Sequence, residues 1–464
     1  MERVLPKTLD YSDVLPLAVE SRARRRTFFP VNGQTFKSDG ANIVRIDLSA
    51  DALLDTQHSY LRFDLTIKTK TAGMDVSGGH GFIKRLRIEQ SGVVLEDINA
   101  YNRLMGAIVI PCQSGEDHRK ERSISEFQTV RGANVAIGAA TTQAQTVPDM
   151  SANAAGSKLL GLNHNLDTQL PIDTAYTLTI PLNSGILNCD KLIPLMLMSA
   201  PLTIEIELAP SLEPVIYATD ATGTYEWSNV RYIANLIEVG GDVAQQLRMV
   251  QEMSGGVLTL AGQTYRHFSG RFDGVAGDNV INVPARVKSM KSLFFASQDA
   301  THGLSRFDKY TMSFGGNMAL DEFQLKIGSV VYPPTPIKCG FGDGSNGTGG
   351  AGASKAEALY ELAKAWGNVG STKGLGMLDK VNYASIESAA PQSAGFYTFA
   401  PFGMDLEAFQ RVAIESGVNT ADRSLPISLI LKGLAGSTAC NVDAFVLADA
   451  LFYINADGSM SVSV

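Results

Sequence analysis

Six histidines are the residues best suited to metal or acid–base chemistry in this 464-residue chain: His58, His80, His118, His164, His267 and His302. A metal site needs imidazoles that converge on one ion together with a carboxylate. No HxH or HExxH brings any two of them together, so each reads as a surface or turn residue. Cys112, Cys189, Cys339 and Cys440 are as widely spaced, and there is no CxxC to support a zinc ribbon or a thioredoxin-type motif. They read as four reduced, mostly buried thiols of a protein that folds in a reducing compartment, with two disulfides as the alternative. The glycine-rich run Gly340–Ser354 invites a phosphate-loop reading, because Gly347 and Gly352 have the required gap. Ala353 then stands where the phosphate-reaching lysine belongs, and the run reads as a flexible surface loop. No GxSxG offers a nucleophile elbow. The neighbouring carboxylates Glu96 and Asp97 could serve acid–base work. At a strand–helix junction they read instead as a helix start, favoured by the positive end of the helix dipole. These residues assign no catalytic, cofactor or metal site.

Composition narrows the classes. Apolar residues make up 45% and charged residues 19%, which describes a folded chain. The net charge of −8 argues against a general nucleic-acid binder, whose surface would be basic. One local exception is ESRARRRTFF, where Arg22, Arg24, Arg25 and Arg26 cluster. Pro6, Pro16 and Pro30 interrupt the first 30 residues. That segment reads as an arm outside the folded body, either solvated or docked through its arginines on a neighbour, a membrane or a genome. No secretory signal and no apolar run of about 18 residues is present, so the sequon at Asn346 carries no weight.

The elements that would position any site are strands. Leu61, Phe63, Leu65 and Ile67 alternate with Tyr60, Arg62, Asp64, Thr66 and Lys68. Val44, Ile46 and Leu48 repeat the period upstream, and Leu86 and Ile88 downstream. Period 2 with one polar face means antiparallel strands, since parallel strands covered by helices read as continuous apolar runs. After Glu96 the spacing of Ile98, Tyr101, Met105 and Ile108 turns helical. Residues 111–170 are a long, weakly patterned loop. Strands return at Tyr176–Leu182, Leu202–Leu208 and Val230–Leu236. Asp242–Met253 reads as a connecting helix whose apolar face is Val243, Leu247 and Val250, stopped by Gly255 and Gly256. The second half repeats the plan. A strand with Phe323, Leu325 and Ile327 ends at Tyr332-Pro333-Pro334. A helix opens with a Ser354/Glu357 capping box and lines up Ala356, Leu359, Tyr360, Ala363 and Trp366. Later strands hold Ile427, Leu429 and Leu431, then AFVLADALFYI and MSVSV.

ADALLDTQHSYLRFDLTIK followed by GFIKRLRIEQSGVVLEDINAYNRLM resembles the first jelly roll of double jelly-roll major capsid proteins. The likeness is to those of polinton-like viruses, virophages and larger DNA viruses. Ser184-Gly185-Ile186-Leu187 before LIPLMLMSAPLTIEIEL is similar to later strands of that first domain. FAPFGMDLEAFQ with SGVNT is similar to the second-domain ending. The resemblance covers residues 42–208 and 396–464. It implies an all-β chain of two antiparallel jelly-roll sandwiches in tandem with short inserted helices. An arm would occupy 1–30, the first jelly roll 31–241, a linker helix 242–255 and the second jelly roll 256–464, with an insert at 340–367. It also implies a structural protein and not an enzyme, with no cofactor. Homotrimers would form pseudo-hexameric capsomers that tile an icosahedral virion shell assembled inside the host cell. Partners would be neighbouring capsomers, penton and minor capsid proteins, and an inner membrane or genome touched through Arg22, Arg24, Arg25 and Arg26. The competing readings are a tandem jelly-roll carbohydrate binder and a metal-dependent bicupin enzyme. The first needs an aromatic-lined groove, and only Trp227 and Trp366 exist. The second needs clustered histidines.

Overall fold

Alternating side chains become antiparallel ladders in the computed structural model. It describes residues 21–68, 77–113, 172–189, 191–210, 224–300, 320–339, 355–367, 401–408, 416–422, 424–433 and 439–464, with shorter pieces between. His118, His164, His302, the sequon, most of the loop 111–170 and the run Gly340–Ser354 lie outside the described residues. In the first half the strands are Ser21–Phe28 (β1), Ile43–Leu48 (β2), Leu53–Ile67 (β3) and Ile83–Gln90 (β4). Val93–Asn99 (β5), Ala175–Ile180 (β6), Leu202–Leu208 (β7) and Tyr225–Val239 (β8) follow. They form one sheet in the order β1-β8-β3-β6 and a second in the order β2-β7-β4-β5. Gly241–Met253 (α1) leads to the second half. There the strands are Val257–Phe272 (β9), Gly277–Asn282 (β10), Met290–Asp299 (β11) and Leu320–Ile327 (β12). Next come Val330–Lys338 (β13), the helix Ala356–Ala365 (α2), Pro401–Asp405 (β14), Ile427–Gly433 (β15) and Cys440–Asn455 (β16). Met460–Ser463 (β17) pairs back onto β16. The sheet orders β9-β16-β11-β14 and β10-β15-β12-β13 repeat those of the first half strand for strand. Two facing antiparallel sheets with this Greek-key order are a jelly roll, and the chain holds two.

Burial explains the strand patterns. In the first sandwich Leu61, Phe63, Leu65 and Ile67 are fully buried, and Trp227 stacks on Phe63 at 3.7 Å. In the second, the sheet carrying β16 is covered on both faces. Val442, Ala444 and Val446 point into its own core, whereas Phe445, Leu447 and Phe294 join the core cluster of the first sandwich. That is why AFVLADALFYI is apolar on both faces but for Asp449, although its ladder is antiparallel.

Several expectations change. Ser21–Phe28, expected within an arm, is an edge strand along β8, with Phe28 seated in the core. Tyr332-Pro333-Pro334 does not end a strand but lies inside β13. That strand is at a sheet edge, where a missing N–H costs no ladder bond. In α1 Val250 is 49% exposed, and the buried residue is Gln251, whose Nε2 donates to the Ile454 carbonyl at 3.0 Å. In α2 Ala358, Leu362 and Trp366 are buried, Leu359 and Ala363 of the expected face pack partly buried on the core, and Tyr360 is exposed. Trp366 stacks on Phe294 at 4.6 Å and sets that rotation. Ser354 of the expected capping box lies outside the described residues; Glu357 Oε2 accepts the Lys338 N–H at 3.1 Å. Gly255, Gly256 and Gly367 do close their helices, with φ of 76°, 87° and 62°. All four cysteines are buried thiols outside any disulfide.

The strand directions sort the connections. Both of the longest, 100–174 and 339–400, leave from the end where β3 finishes, as do 68–82 and 300–319. Short turns such as 91–92 and 456–459, together with α1, lie at the opposite end. Truncating Trp227→Ala removes the largest buried side chain of the first core. We expect a loss of about 3–5 kcal/mol, read from the urea unfolding midpoint.

Candidate functional site

The best-built polar constellation is the seam between the sandwiches. Strand β5, at the edge of its sheet, meets β9, at the edge of another. Glu96 on β5 is 3% exposed and gathers donors from two other segments. Its Oε1 accepts the Gly185 N–H at 2.9 Å and the Thr264 hydroxyl at 2.7 Å. Its Oε2 accepts the Ser184 hydroxyl at 2.5 Å and the Ile186 N–H at 3.4 Å. Thr264 belongs to the second sandwich, and Ser184–Ile186 to the turn after β6. The approach is close: a Cβ on Gly185 would stand 2.5 Å from the Gln263 carbonyl oxygen, and one on Gly262 2.4 Å from that of Gly185. Only glycine lets two backbones meet this way.

Two further ties cross the seam. Arg103, in the helical stretch after β5, is 3% exposed. Its Nε donates to Asp443 Oδ2 at 2.9 Å, its Nη2 to the Ser297 carbonyl at 3.0 Å, and its Nη1 to the Met312 carbonyl. His267 Nε2 lies 2.9 Å from the other oxygen of Asp443. At the opposite end, Gln90 Nε2 donates to the Gly458 carbonyl at 3.1 Å, and its Oε1 accepts the Met460 N–H at 2.6 Å. Beside Arg103 opens a cleft of about 560 Å³ lined by Lys84, Arg85, Glu207, Glu213 and Asp443. Its ions are matched: Lys84 holds Glu213 at 2.7 Å, and Arg85 grips Asp97 through two nitrogens.

Sequence reasoning misjudged several of these residues. Glu96 and Asp97 do not start a helix; both sit in β5, one facing the seam and one the solvent-side ion pair. A bulge between Ile88 and Glu89 displaces the ladder there. His80 and His267 are buried and partly buried, not surface residues. His80 Nε2 lies 3.3 Å from Glu126. Among the described residues no three His, Cys, Asp or Glu side chains converge as a metal ion requires. Arg22, Arg24, Arg25 and Arg26 are exposed along β1. Arg24 pairs with Glu238 at 3.0 Å, Arg25 reaches the Tyr60 hydroxyl, and Arg26 covers the Phe28 ring. Trp227 and Trp366 are both buried, so neither lines a sugar-binding groove.

No family model and no curated protein matches the chain. Solved structures do share its fold. The Sputnik virophage structure aligns with a TM-score of 0.60 at 10% identity, covering 100% of this chain and 93% of that one. The Faustovirus major capsid protein gives 0.58 at 9%, covering 97% and 92%. The mavirus major capsid protein gives 0.53 at 11%, covering 100% and 96%. The chain thus has the double jelly-roll fold seen in viral major capsid proteins.

Glu96 and Asp443 give the seam two opposed pH dependences. Burial pushes the Glu96 carboxyl up despite its four donors. Its contribution is therefore full below the ordinary carboxylate range and is lost as pH rises through the raised value. Burial acts on Asp443 in the same direction, but the His267 hydrogen bond and the Arg103 charge outweigh it and bring the carboxyl down to about 2. Its contribution is full above about pH 4 and is lost as pH falls toward that value. Stability measured against pH should lose its alkaline-side decline in Glu96→Gln, at a cost of about 1–3 kcal/mol for backbone donors left unmatched. Asp443→Asn should lose the acid-side decline and cost about 3–5 kcal/mol at neutral pH by stranding Arg103.

Proposed function

We propose that this protein is the structural unit of a virion shell, acting by assembly, as a homotrimer whose six sandwiches form a pseudo-hexagonal capsomer. The observation that carries the reading is the seam itself. Within one chain, the β5 edge of the first sandwich packs on the β9 edge of the second. Because the strand order repeats, the equivalent edges pair with no further strand among the described residues: β13 with α2 in the second sandwich, and β1 with β2 in the first. A head-to-tail contact between these edges repeats the seam between chains and closes after three copies. The free edges carry exposed apolar side chains suited to burial. Phe29, Val31 and Ile43 lie on one, and Val330 and Tyr360 on the other.

The loop end would then face outward. Ser21 pairs with Val239 at the turn end. The arginines of β1 accordingly lie toward the interior, where a membrane, minor capsid proteins or the genome would be met. Neighbouring capsomers and penton proteins would complete the shell.

Light scattering behind a sizing column should give the mass of three chains for the purified protein. Ile43→Arg and Tyr360→Glu, both at exposed positions, should each shift that mass toward one chain without lowering the melting temperature. A wild-type chain that stays monomeric at high concentration would sink the reading.

A further inference from the structure

We propose that Lys291 and Asp449 become joined by an intramolecular amide bond, with Glu407 as the proton carrier. Lys291 sits where the β11–β16 ladder shifts register, between Met290 and Ser292. On its other side, the Leu406 N–H donates to the Lys291 carbonyl at 2.8 Å and brings Glu407 alongside. Lys291 Nζ lies 2.9 Å from Glu407 Oε1 and 3.3 Å from Asp449 Oδ1. The three side chains are 6%, 8% and 7% exposed. The chain neighbours of the three, Met290, Leu406 and Ala448, are buried in the second core. An ammonium with two carboxylates in such a place is costly to keep ionised, because each charge has lost its water. A lysine withdrawn from water also becomes a competent nucleophile once it gives up a proton.

The hydroxyls around the cluster match the needs of the reaction. Ser289 Oγ donates to Asp449 Oδ2 at 2.8 Å, the oxygen that would take negative charge in a tetrahedral intermediate. The Gly417 N–H donates to that same hydroxyl at 3.1 Å and orients it. Ser416 Oγ donates to Glu407 Oε1 at 2.5 Å and holds the carrier in place. Glu407 takes a proton from Nζ, and the neutral amine attacks Cγ of Asp449. The Nζ–Cγ bond forms and the Cγ–Oδ1 bond breaks. Two of the three ammonium protons leave on that oxygen as water, one of them returned by Glu407. An ammonium and a carboxylate become a neutral amide and water, Glu407 ends as it began, and no oxidant or reductant is consumed. The bond would staple β11 to β16 at the turn end of the second sandwich.

The test is mass spectrometry of the full-length protein, intact under denaturing conditions and after proteolysis. The expected result is an intact mass one water below the sequence mass, with a branched peptide that joins Lys291 to Asp449. Lys291→Met and Glu407→Gln should each restore the sequence mass. If either variant fails to fold, the wild-type digest still decides. A wild-type protein at full sequence mass, or a water loss confined to linear peptides, overturns the proposal and leaves a buried ion pair.

Discussion

Glu96 must be satisfied for the two sandwiches to sit as they do. A carboxyl group taken fully out of water needs donors, and it finds them on the turn after β6 and on the second sandwich. Its position therefore fixes three pieces of chain at once. The glycines at 185 and 262 follow from the same constraint, since any side chain there would push the backbones apart and pull the donors off the carboxyl. Polar networks of this kind specify a unique arrangement because a partial set is worse than none. Apolar burial around it, from Phe445, Leu447 and Phe452, contributes area but would tolerate sliding.

A rigid seam has a consequence for assembly. Two sandwiches locked at one angle act as a single block, and in the proposed assembly the repeated strand order lets its β13 and β1 edges meet between copies. The outer face of the β2-β7-β4-β5 sheet is laced with ion pairs such as Arg45–Glu89 at 3.1 Å and Arg87–Glu89 at 2.8 Å. Such a self-neutralised face offers little to a partner. Exposed apolar side chains occur near the edges, with Phe29, Val31 and Ile43 at one and Val330 and Tyr360 at the other, and also on α1 at Met249, Val250 and Met253.

Much of the fold was legible in the sequence because a half-wet antiparallel strand writes its burial as period 2. Ile427 through Leu431 alternate in burial as read and Leu202 through Leu208 do so from Ile204 onward, whereas in Leu61 through Ile67 the apolar set is buried as read but Asp64 and Thr66 opposite are covered too. The glycine stops of both helices were legible for an equally local reason, the left-handed backbone at 255, 256 and 367. The misreadings share one cause. Tyr332-Pro333-Pro334 looked like a terminator because local chemistry ignores whether a strand lies at an edge. Tyr360 looked inward because helical spacing alone could not say which stripe Trp366 would clamp. Arg22 to Arg26 looked like an arm because their pairing partner, β8, lies about 200 residues away in sequence.

The sequence by itself determined the class of element, which local catalytic motifs it does not spell, and a likeness to shell-forming proteins. Those follow from periodicity, residue spacing and local turn chemistry, all readable within a few residues. Only the tertiary structure decided that Glu96 is a buried keystone rather than a helix start. It alone showed Arg103 crossing into the second sandwich and Lys291 facing two carboxylates. Each of those depends on residues far apart in the chain, and long-range pairing leaves no mark in a local pattern.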